Sequence, residues 1–352
     1  MKEHCTVILV NWNGWQDTIE CLESLIRQDH LNTDIIIVDN DSADESVEQL
    51  RHWANNQGKK VHTRFTDILS GPIMGETRLF IELDAKNLNQ YSFPMVDKKQ
   101  FIFLIKNHYN AGFSKANNLA ISFALDRLHT NYLFLLNNDT VIEKNAISAA
   151  LDTFKQYPEY SALQSAIFYY DDPQRVWNLG GKILPWAQIK YYREVKNDCV
   201  QKVDFLSGCS LFLKADIIRL IGKFTEKFFH GEEDFEFSLR LKQHRLKAGV
   251  VFASKVYHKI GISVSKKWKN GDQKILNFAL NRIIDMRDYY PKPVWRIWRI
   301  FTLVYFFYLM LSYYKLSPKY SVLLIREIYL WSSRLNRVNG KVLKIILERI
   351  HG

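Results

Sequence analysis

Tyr132-Leu133-Phe134-Leu135-Leu136-Asn137-Asn138-Asp139-Thr140 is the stretch that decides the fold. Its first five residues form a short apolar run, which describes a strand buried on both faces. Amide and carboxylate side chains then end it abruptly. Two earlier runs end in the same way. Val7-Ile8-Leu9-Val10 leads into Asn11-Trp12-Asn13-Gly14, and Ile35-Ile36-Ile37-Val38 leads into Asp39-Asn40-Asp41-Ser42. In an open parallel sheet, ligands bind beyond the carboxyl ends of the strands, where the strand order reverses. Three strands therefore deliver carboxamides and carboxylates to one edge.

The segments between these runs have helical spacing. Residues 14–28 place Trp15, Ile19, Leu22, Leu25 and Ile26 on one face, and 43–54 follow with Ser42 or Asp44 near the start. A further strand is expected at Phe101 to Ile105 and a helix at 113–128. This alternation of strand and helix predicts an α/β fold, a mostly parallel sheet covered on both faces by helices. Residues 57–100 break the rhythm. Gly71-Pro72, Gly75 and Pro94 punctuate short alternating pieces such as Arg78 to Leu83, so an inserted hairpin or β-rich loop is expected there. Beyond 150, strands at 162–170 and 249–253 flank helices at 214–221 and 233–244.

Charge divides the chain. Residues 1–258 carry 30 Lys+Arg against 32 Asp+Glu, whereas 259–352 carry 18 against 5. The formal net charge of +11 thus belongs to the last quarter. That quarter also holds Ile300 to Tyr314, fifteen residues without a charge, with Trp295, Arg296, Trp298 and Arg299 before them and Lys315 after. As a helix the run measures about 22 Å, short of a hydrocarbon core of ~30 Å. Further apolar and basic helical stretches follow at 320–331 and 341–350. Four cysteines without metal-type spacing suit a reducing cytoplasm. The run Val7 to Val10 is too short for a signal-peptide core, so no export is expected.

Each polar cluster has a chemical and a structural explanation. Asp39 suits a nucleobase or ribose, and equally a helix cap. Asp139 suits a divalent cation bridging a diphosphate, because hard cations take oxygen ligands; Asn-Asn-Asp is also ordinary turn chemistry. Glu232, Glu233 and Asp234 open a helix, where acids interact favourably with the dipole. Crowded carboxylates also resist ionising, which fits a proton acceptor. His258 ends a strand and is either structural or a ligand. No G-x-G-x-x-G follows the first strand, and no G-x-x-x-x-G-K-[ST] occurs. Dinucleotide dehydrogenases and P-loop enzymes are disfavoured on that ground.

Taken in order, several segments resemble the inverting family-two glycosyltransferases, especially a bacterial rhamnosyltransferase-like branch. They are Val7 to Gly14, Ile36 to Ser42, Asn110-Ala-Gly-Phe-Ser-Lys-Ala-Asn-Asn118, Leu135 to Thr140, Phe205-Leu-Ser-Gly-Cys-Ser210, and Gly222 to Phe229 running into Glu233-Asp234 and Arg240. The resemblance covers 1–265. It implies a GT-A fold, a nucleotide-diphosphate sugar donor such as dTDP-rhamnose or a UDP-sugar, and a divalent metal, Mn²⁺ or Mg²⁺. It implies that Asp39 contacts the base and that Asn110, Gly112 and Asn117 belong to the donor pocket. Asn11, Asn13, Asn137, Asn138 and Gly208 lie in the matching donor-side segments. Asp139 and His258 would be the metal ligands, Asp234 the catalytic base, and Glu233 its neighbour toward the acceptor. Donor choice would lie around Trp177 to Gly181 and Gly208 to Ser210. Asn137 departs from the family's Asp-x-Asp pattern and leaves one carboxylate there.

The resemblance implies a single inverting displacement, with Asp234 taking the acceptor proton. Residues 266–352 form a separate basic, apolar helical tail, expected to associate with the inner face of the cell membrane. The acceptor would then be a lipid-linked saccharide of the kind used in cell-surface polysaccharide or O-antigen synthesis. A non-catalytic nucleotide-sugar-binding protein and a nucleic-acid-binding protein are the rival classes. Against nucleic acid, the tail is as apolar as it is basic, and its Phe and Tyr residues run together inside the uncharged stretch.

Overall fold

The computed structural model describes residues 3–56, 61–74, 78–91, 100–195, 199–260 and 271–351. The chain forms two compact units. The first holds Met1–Ile183, Ile189–Phe224 and Phe237–Ile260; the second holds Leu184–Gln188, Thr225–Glu236 and Gly261–Gly352.

The first unit opens with β1 (Cys5–Asn11), α1 (Trp15–Leu25), β2 (Thr33–Asp39), α2 (Ser46–Ala54) and α3 (Thr66–Leu69). Next come β3 (Leu79–Asp84), a 3₁₀ turn over Ala85–Gln90, β4 (Phe101–Lys106), α4 (Phe113–Arg127), β5 (Tyr132–Leu136), β6 (Thr140–Ile142) and α5 (Ala146–Gln156). Then follow β7 (Tyr160–Tyr169), β8 (Val176–Asn178), β9 (Gly181–Ile183), β10 (Ile189–Tyr191), β11 (Val200–Val203), β12 (Ser210–Lys214), α6 (Ala215–Ile221), α7 (Glu233–Gln243) and β13 (Lys247–His258). The first turn of α7 is counted with the second unit.

The main sheet runs β11-β13-β7-β12-β5-β1-β2-β4-β3, with β6 on β13 and β8 on β7. From β5 to β3 all neighbours are parallel, giving the expected α/β frame. Alternate residues of each strand face opposite sides, and both sides are apolar. Ile8, Ile36 and Val38 pack with α4 through Ala116, Ala120, Ile121 and Ala124. Val7, Leu9, Ile35 and Ile37 pack with α1 and α5 through Ile19, Leu22, Ile147 and Leu151. This double burial is why the strands read as continuous apolar runs.

β1 lies between β2 and β5, so the chain order reverses around it. In register, Asn11 faces Asp39. Antiparallel β12 then inserts between β5 and β7 and stacks Phe212 on Phe134, ring centroids 3.7 Å apart.

Two local expectations are corrected. The described part of 57–100 holds no hairpin: Leu79–Asp84 joins the sheet as an edge strand parallel to β4. Its period-2 pattern reflects an edge with one face only partly covered. Nor does Ser42 begin the second helix, which starts at Ser46 with the Asp44 carboxylate accepting from its backbone N–H at 3.0 Å. Ser42 turns to Asp39 instead.

In the second unit, α8 (Gly271–Tyr289), α9 (Lys292–Ser312), α10 (Pro318–Ser332) and α11 (Gly340–His351) follow one another. α8 packs against the other three. Proline sits in the first turn of α9 and of α10, where its missing N–H costs nothing.

Candidate active site

The strand ends are tied together by side chains. Asn11 is fully buried, and its amide donates to Asp39 Oδ1 at 2.8 Å and Ser42 Oγ at 3.1 Å. Thr18 Oγ1 donates to Asn11 Oδ1 at 2.8 Å, and Asn138 donates to Thr18 at 2.8 Å. Ser42 donates twice to Asp39, through Oγ at 2.6 Å to Oδ1 and through the backbone at 3.1 Å to Oδ2. Asp39 thus accepts three bonds within the protein, and the remaining capacity of an ionised carboxylate lies on Oδ2. Asn13 adopts φ +51°, a left-handed turn that asparagine tolerates. It accepts from the backbone N–H of Ala43 at 2.7 Å.

Asn40 is a second hub. Its amide donates to Asn110 Oδ1 at 3.0 Å, and its oxygen accepts from Asn107 at 3.1 Å and from the Ala111 N–H at 3.0 Å. Gly112 takes φ +82°, which favours glycine, and gives its N–H to Asn110 at 3.0 Å. The loop before α4 is therefore fixed to the end of β2. The side chain of Asn117 turns back along α4 and donates to Phe113 O at 3.0 Å. Gly208 is buried in the turn before β12, next to Cys209, whose carbonyl accepts the Asn137 N–H at 2.9 Å.

Asp139 and His258 meet. β13 and β7 pair regularly from Ala248–Ala162 to Val251–Ser165 and again from Lys255–Ala166, so Phe252 to Ser254 form a bulge. Beyond it β13 also pairs with β6, placing His258 opposite Thr140. His258 Nε2 lies 3.2 Å from Asp139 Oδ1, both side chains being buried. Burial opposes a charge on His258, yet the Cys209 sulfur and the Asp139 carboxylate raise its proton affinity well above the usual histidine range. Asp139 Oδ1 and His258 Nδ1 are both buried, the first facing the imidazole as an ion-pair partner. A buried carboxylate beside an imidazole suits a cation that completes its shell with substrate oxygens. Among the described residues no group of three or more His, Cys, Asp or Glu is arranged to hold a metal ion.

The next residue, Lys259, donates its backbone N–H to Asp139 O at 3.0 Å. Its ammonium reaches Asp17 at 2.6 Å and Glu20 at 2.5 Å, both on α1. Tyr170 donates to Glu20 at 2.7 Å. Burial lowers the Lys259 pKa, but bonds to Asp17 and Glu20 outweigh it and the net shift is upward.

In the second unit, Gly231 and Glu232 are both left-handed, φ +76° and +90°. For a long side chain this costs on the order of 1–3 kcal/mol. Arg282 pairs with the Glu232 carboxylate and stacks on Phe235, 3.6 Å from the ring centroid. Asn281 donates to His230 O at 3.2 Å and Gly231 O at 3.0 Å. Glu233 and Asp234 follow this anchored turn. Burial, then neighbouring Asp234, pushes the Glu233 carboxyl up to about 7. Asp234 is half-buried and accepts the Phe235 N–H at 2.8 Å. Asp285 is fully buried, and burial with nearby Glu232 and Glu236 holds its carboxyl well above the usual range.

Thr18, Asn40, Asn107 and Lys259 were not singled out from the sequence. Asn40 and Lys259 carried a usable signal, since each directly follows a residue that was. Thr18 carried none, being one of several polar positions along α1.

Comparison with known proteins follows the same outline. The family model described as Glycosyl transferase family 2 matches residues 6–73, and Glycosyl transferase family group 2 matches 132–333. The low-salt glycan biosynthesis hexosyltransferase Agl10 of Haloferax volcanii is 24% identical over 204 residues, which are 56% of this chain and 64% of that protein. GalNAc-T7, solved with UDP, GalNAc and Mn²⁺, superposes with a TM-score of 0.53 at 14% identity, over 89% of this chain and 58% of its own. Mannosyltransferase PcManGT from Pyrobaculum calidifontis, solved with GDP-Man and Mn²⁺, gives 0.51 at 11%, over 99% and 79%. S. aureus TarS 1–349 gives 0.51 at 12%, over 94% and 81%. These structures share the fold.

Proposed function

We propose, from the premise that this chain belongs to glycosyl transferase family group 2, that it moves a hexosyl or deoxyhexosyl unit from a nucleotide diphosphate to a lipid-linked saccharide with inversion. The observation that carries this proposal is the Asp139–His258 pair at 3.2 Å, built at the same strand ends as the Asn11–Asp39 network. A carboxylate with free capacity on Oδ2 suits a base N–H or a ribose hydroxyl. Asn110, Gly112 and Asn138 extend the polar lining. We take dTDP-rhamnose and UDP-sugars as the first donors to test, and the cytoplasmic face of the cell membrane as the place of transfer.

Asp139 and His258 would hold a divalent cation, which when bound supplies charge neutralisation for the departing diphosphate. This chain's own residues do the rest. Asp39 and Asn110 orient the donor. Asp234 takes the proton from the acceptor hydroxyl, and Glu233, pushed up to about 7 beside it, keeps a second proton-accepting group poised near neutrality. Positioning supplies much of the acceleration.

The test is a panel of nucleotide sugars against a lipid-linked acceptor, with Mn²⁺ and with chelator. One donor should be consumed with transfer, and chelation should abolish it. Asp234→Asn should lower turnover by roughly 10²-fold or more while nucleotide affinity stays within a factor of a few. Wild-type turnover in that variant would remove Asp234 from the role of base. No transfer from any donor would remove the activity.

A further inference from the structure

We infer that the outward face of α9 docks flat on an anionic phospholipid surface, as an interfacial helix that does not cross it. Val294, Ile297, Ile300, Phe301, Val304, Tyr305 and Tyr308 stand exposed at spacings of three and four, a single stripe along the helix. Exposure reaches 60% at Phe301 and 64% at Val304 and Tyr308. The stripe carries no charge. Trp186, 58% exposed, lies with its ring 6.0 Å from Phe301 and widens it. Monomers seldom leave contiguous apolar patches beyond about 300–600 Å² without a use for them.

The opposite face is built into protein. Trp295, Trp298, Arg299, Leu303, Phe306 and Met310 are buried. Trp295 donates to Ile283 O at 2.9 Å and Trp298 to Trp186 O at 3.1 Å. The Arg299 guanidinium lies over the Trp295 and Tyr329 rings, 4.5 and 4.2 Å from their centroids. Among the described residues the outward stripe stays exposed, with Trp186 alongside Phe301.

Charge selects the occupant. Residues 291–352 carry 11 Lys+Arg against 2 Asp+Glu. Lys292, Arg296, Lys315 and Lys319 are exposed on α9 and just after it. An uncharged aromatic stripe among basic side chains complements acyl chains beneath anionic headgroups. A second copy would bring like charges together. α9 is long and apolar enough to cross a bilayer on its own. Its neighbours forbid this: α8 and α10, which pack against it, carry Arg282, Asp285, Arg287 and Asp288, and Arg326 and Glu327. Charged side chains at the bilayer centre are strongly disfavoured.

The inference needs no donor, metal or base, so it stands or falls apart from the transfer proposal. Its test is co-sedimentation of the full chain with phosphatidylcholine vesicles, with and without about 30 mol% phosphatidylglycerol. Binding is expected with the anionic lipid, weakened by salt and released by alkaline carbonate. A Phe301→Ser, Val304→Asp double variant should partition at least ~10-fold more weakly with an unchanged circular dichroism spectrum. Transfer to a water-soluble acceptor should be unaffected. Equal partitioning of variant and parent, or no binding by the parent, overturns docking. Resistance to carbonate overturns the flat orientation. A dimer dissolved by the double variant, with vesicle binding unaltered, makes the stripe a protein interface and overturns the proposal.

Discussion

At the scale of single residues, the chemistry lies in which atoms the protein has already used. Asp39 gives both lone-pair directions of Oδ1 and one of Oδ2 to Asn11 and Ser42. Asp39→Asn is expected to weaken binding of a nucleoside diphosphate by roughly 10–100-fold, the worth of a hydrogen bond to a charged group, as read by calorimetry. An unchanged affinity would show that Asp39 only ties the strand ends. Glu233 gives a pH signature. Its carboxyl titrates at about 7 in the fold against an ordinary 4.5, because it is buried and lies beside Asp234. Between those values the folded chain binds more protons than the unfolded one, so stability falls as pH rises through the window. The contribution is complete below 4.5 and gone above about 7. Glu233→Gln should flatten this slope and, at alkaline pH, exceed the parent by on the order of 3 kcal/mol in urea unfolding. Asp285, raised in the same direction, leaves part of the slope in place. Matching slopes in parent and variant would mean that Glu233 ionises freely. Asp39, Asp139 and His258 could be picked out from strand ends and segment order. The side-chain bonds that fix them could not, since Thr18 and Asn40 speak only once their partners are known.

At the scale of elements, legibility followed length and burial. β1, β2, β4 and β5 each hold an unbroken apolar run of four or five residues, which places them within two residues of their observed ends. β6, β8, β9 and β10 have three residues each, too few to show a period. β6 exists because distant β13 offers hydrogen bonds, whereas β8 folds back on β7 and β9 and β10 pair with each other. β3 read as a hairpin arm because an edge strand alternates, and alternation does not tell a parallel partner from an antiparallel one. The bulge in β13 was invisible as well, yet it brings His258 across from Thr140. Lys259 then fastens that strand end to α1. Lys259→Met would leave Asp17 and buried Glu20 without their cation, a loss of roughly 3–5 kcal/mol. A clear drop in the urea midpoint is expected, and an unchanged midpoint would show the pair to be solvated.

At the scale of the whole molecule, charge and secondary structure are both unevenly spread along the chain. The near-neutral part of the sequence supplies the sheet, and the basic part supplies helices α8 to α11. The sequence did not reveal that Leu184–Gln188 and Thr225–Glu236 join the later helices, because a chain segment carries no mark of the unit that buries it. Amide exchange should be slowest in β1, β2 and β5, buried on both faces, and fastest among the strands in edge strand β3. Comparable protection across the sheet would contradict that ranking. The order of the sheet also bears on synthesis. β5 is flanked by β1, made early, and by β12, made some 70 residues after β5. Asp139 waits longer still for His258. A chain emerging from the ribosome carries its first five parallel strands well before either arrives, with the apolar edge of β5 uncovered and only half of the Asp139–His258 pair in existence. Such an exposed, long-lived edge is where aggregation starts. Pausing during translation between β5 and β12 should therefore lower the soluble yield far more than an equal pause after β13.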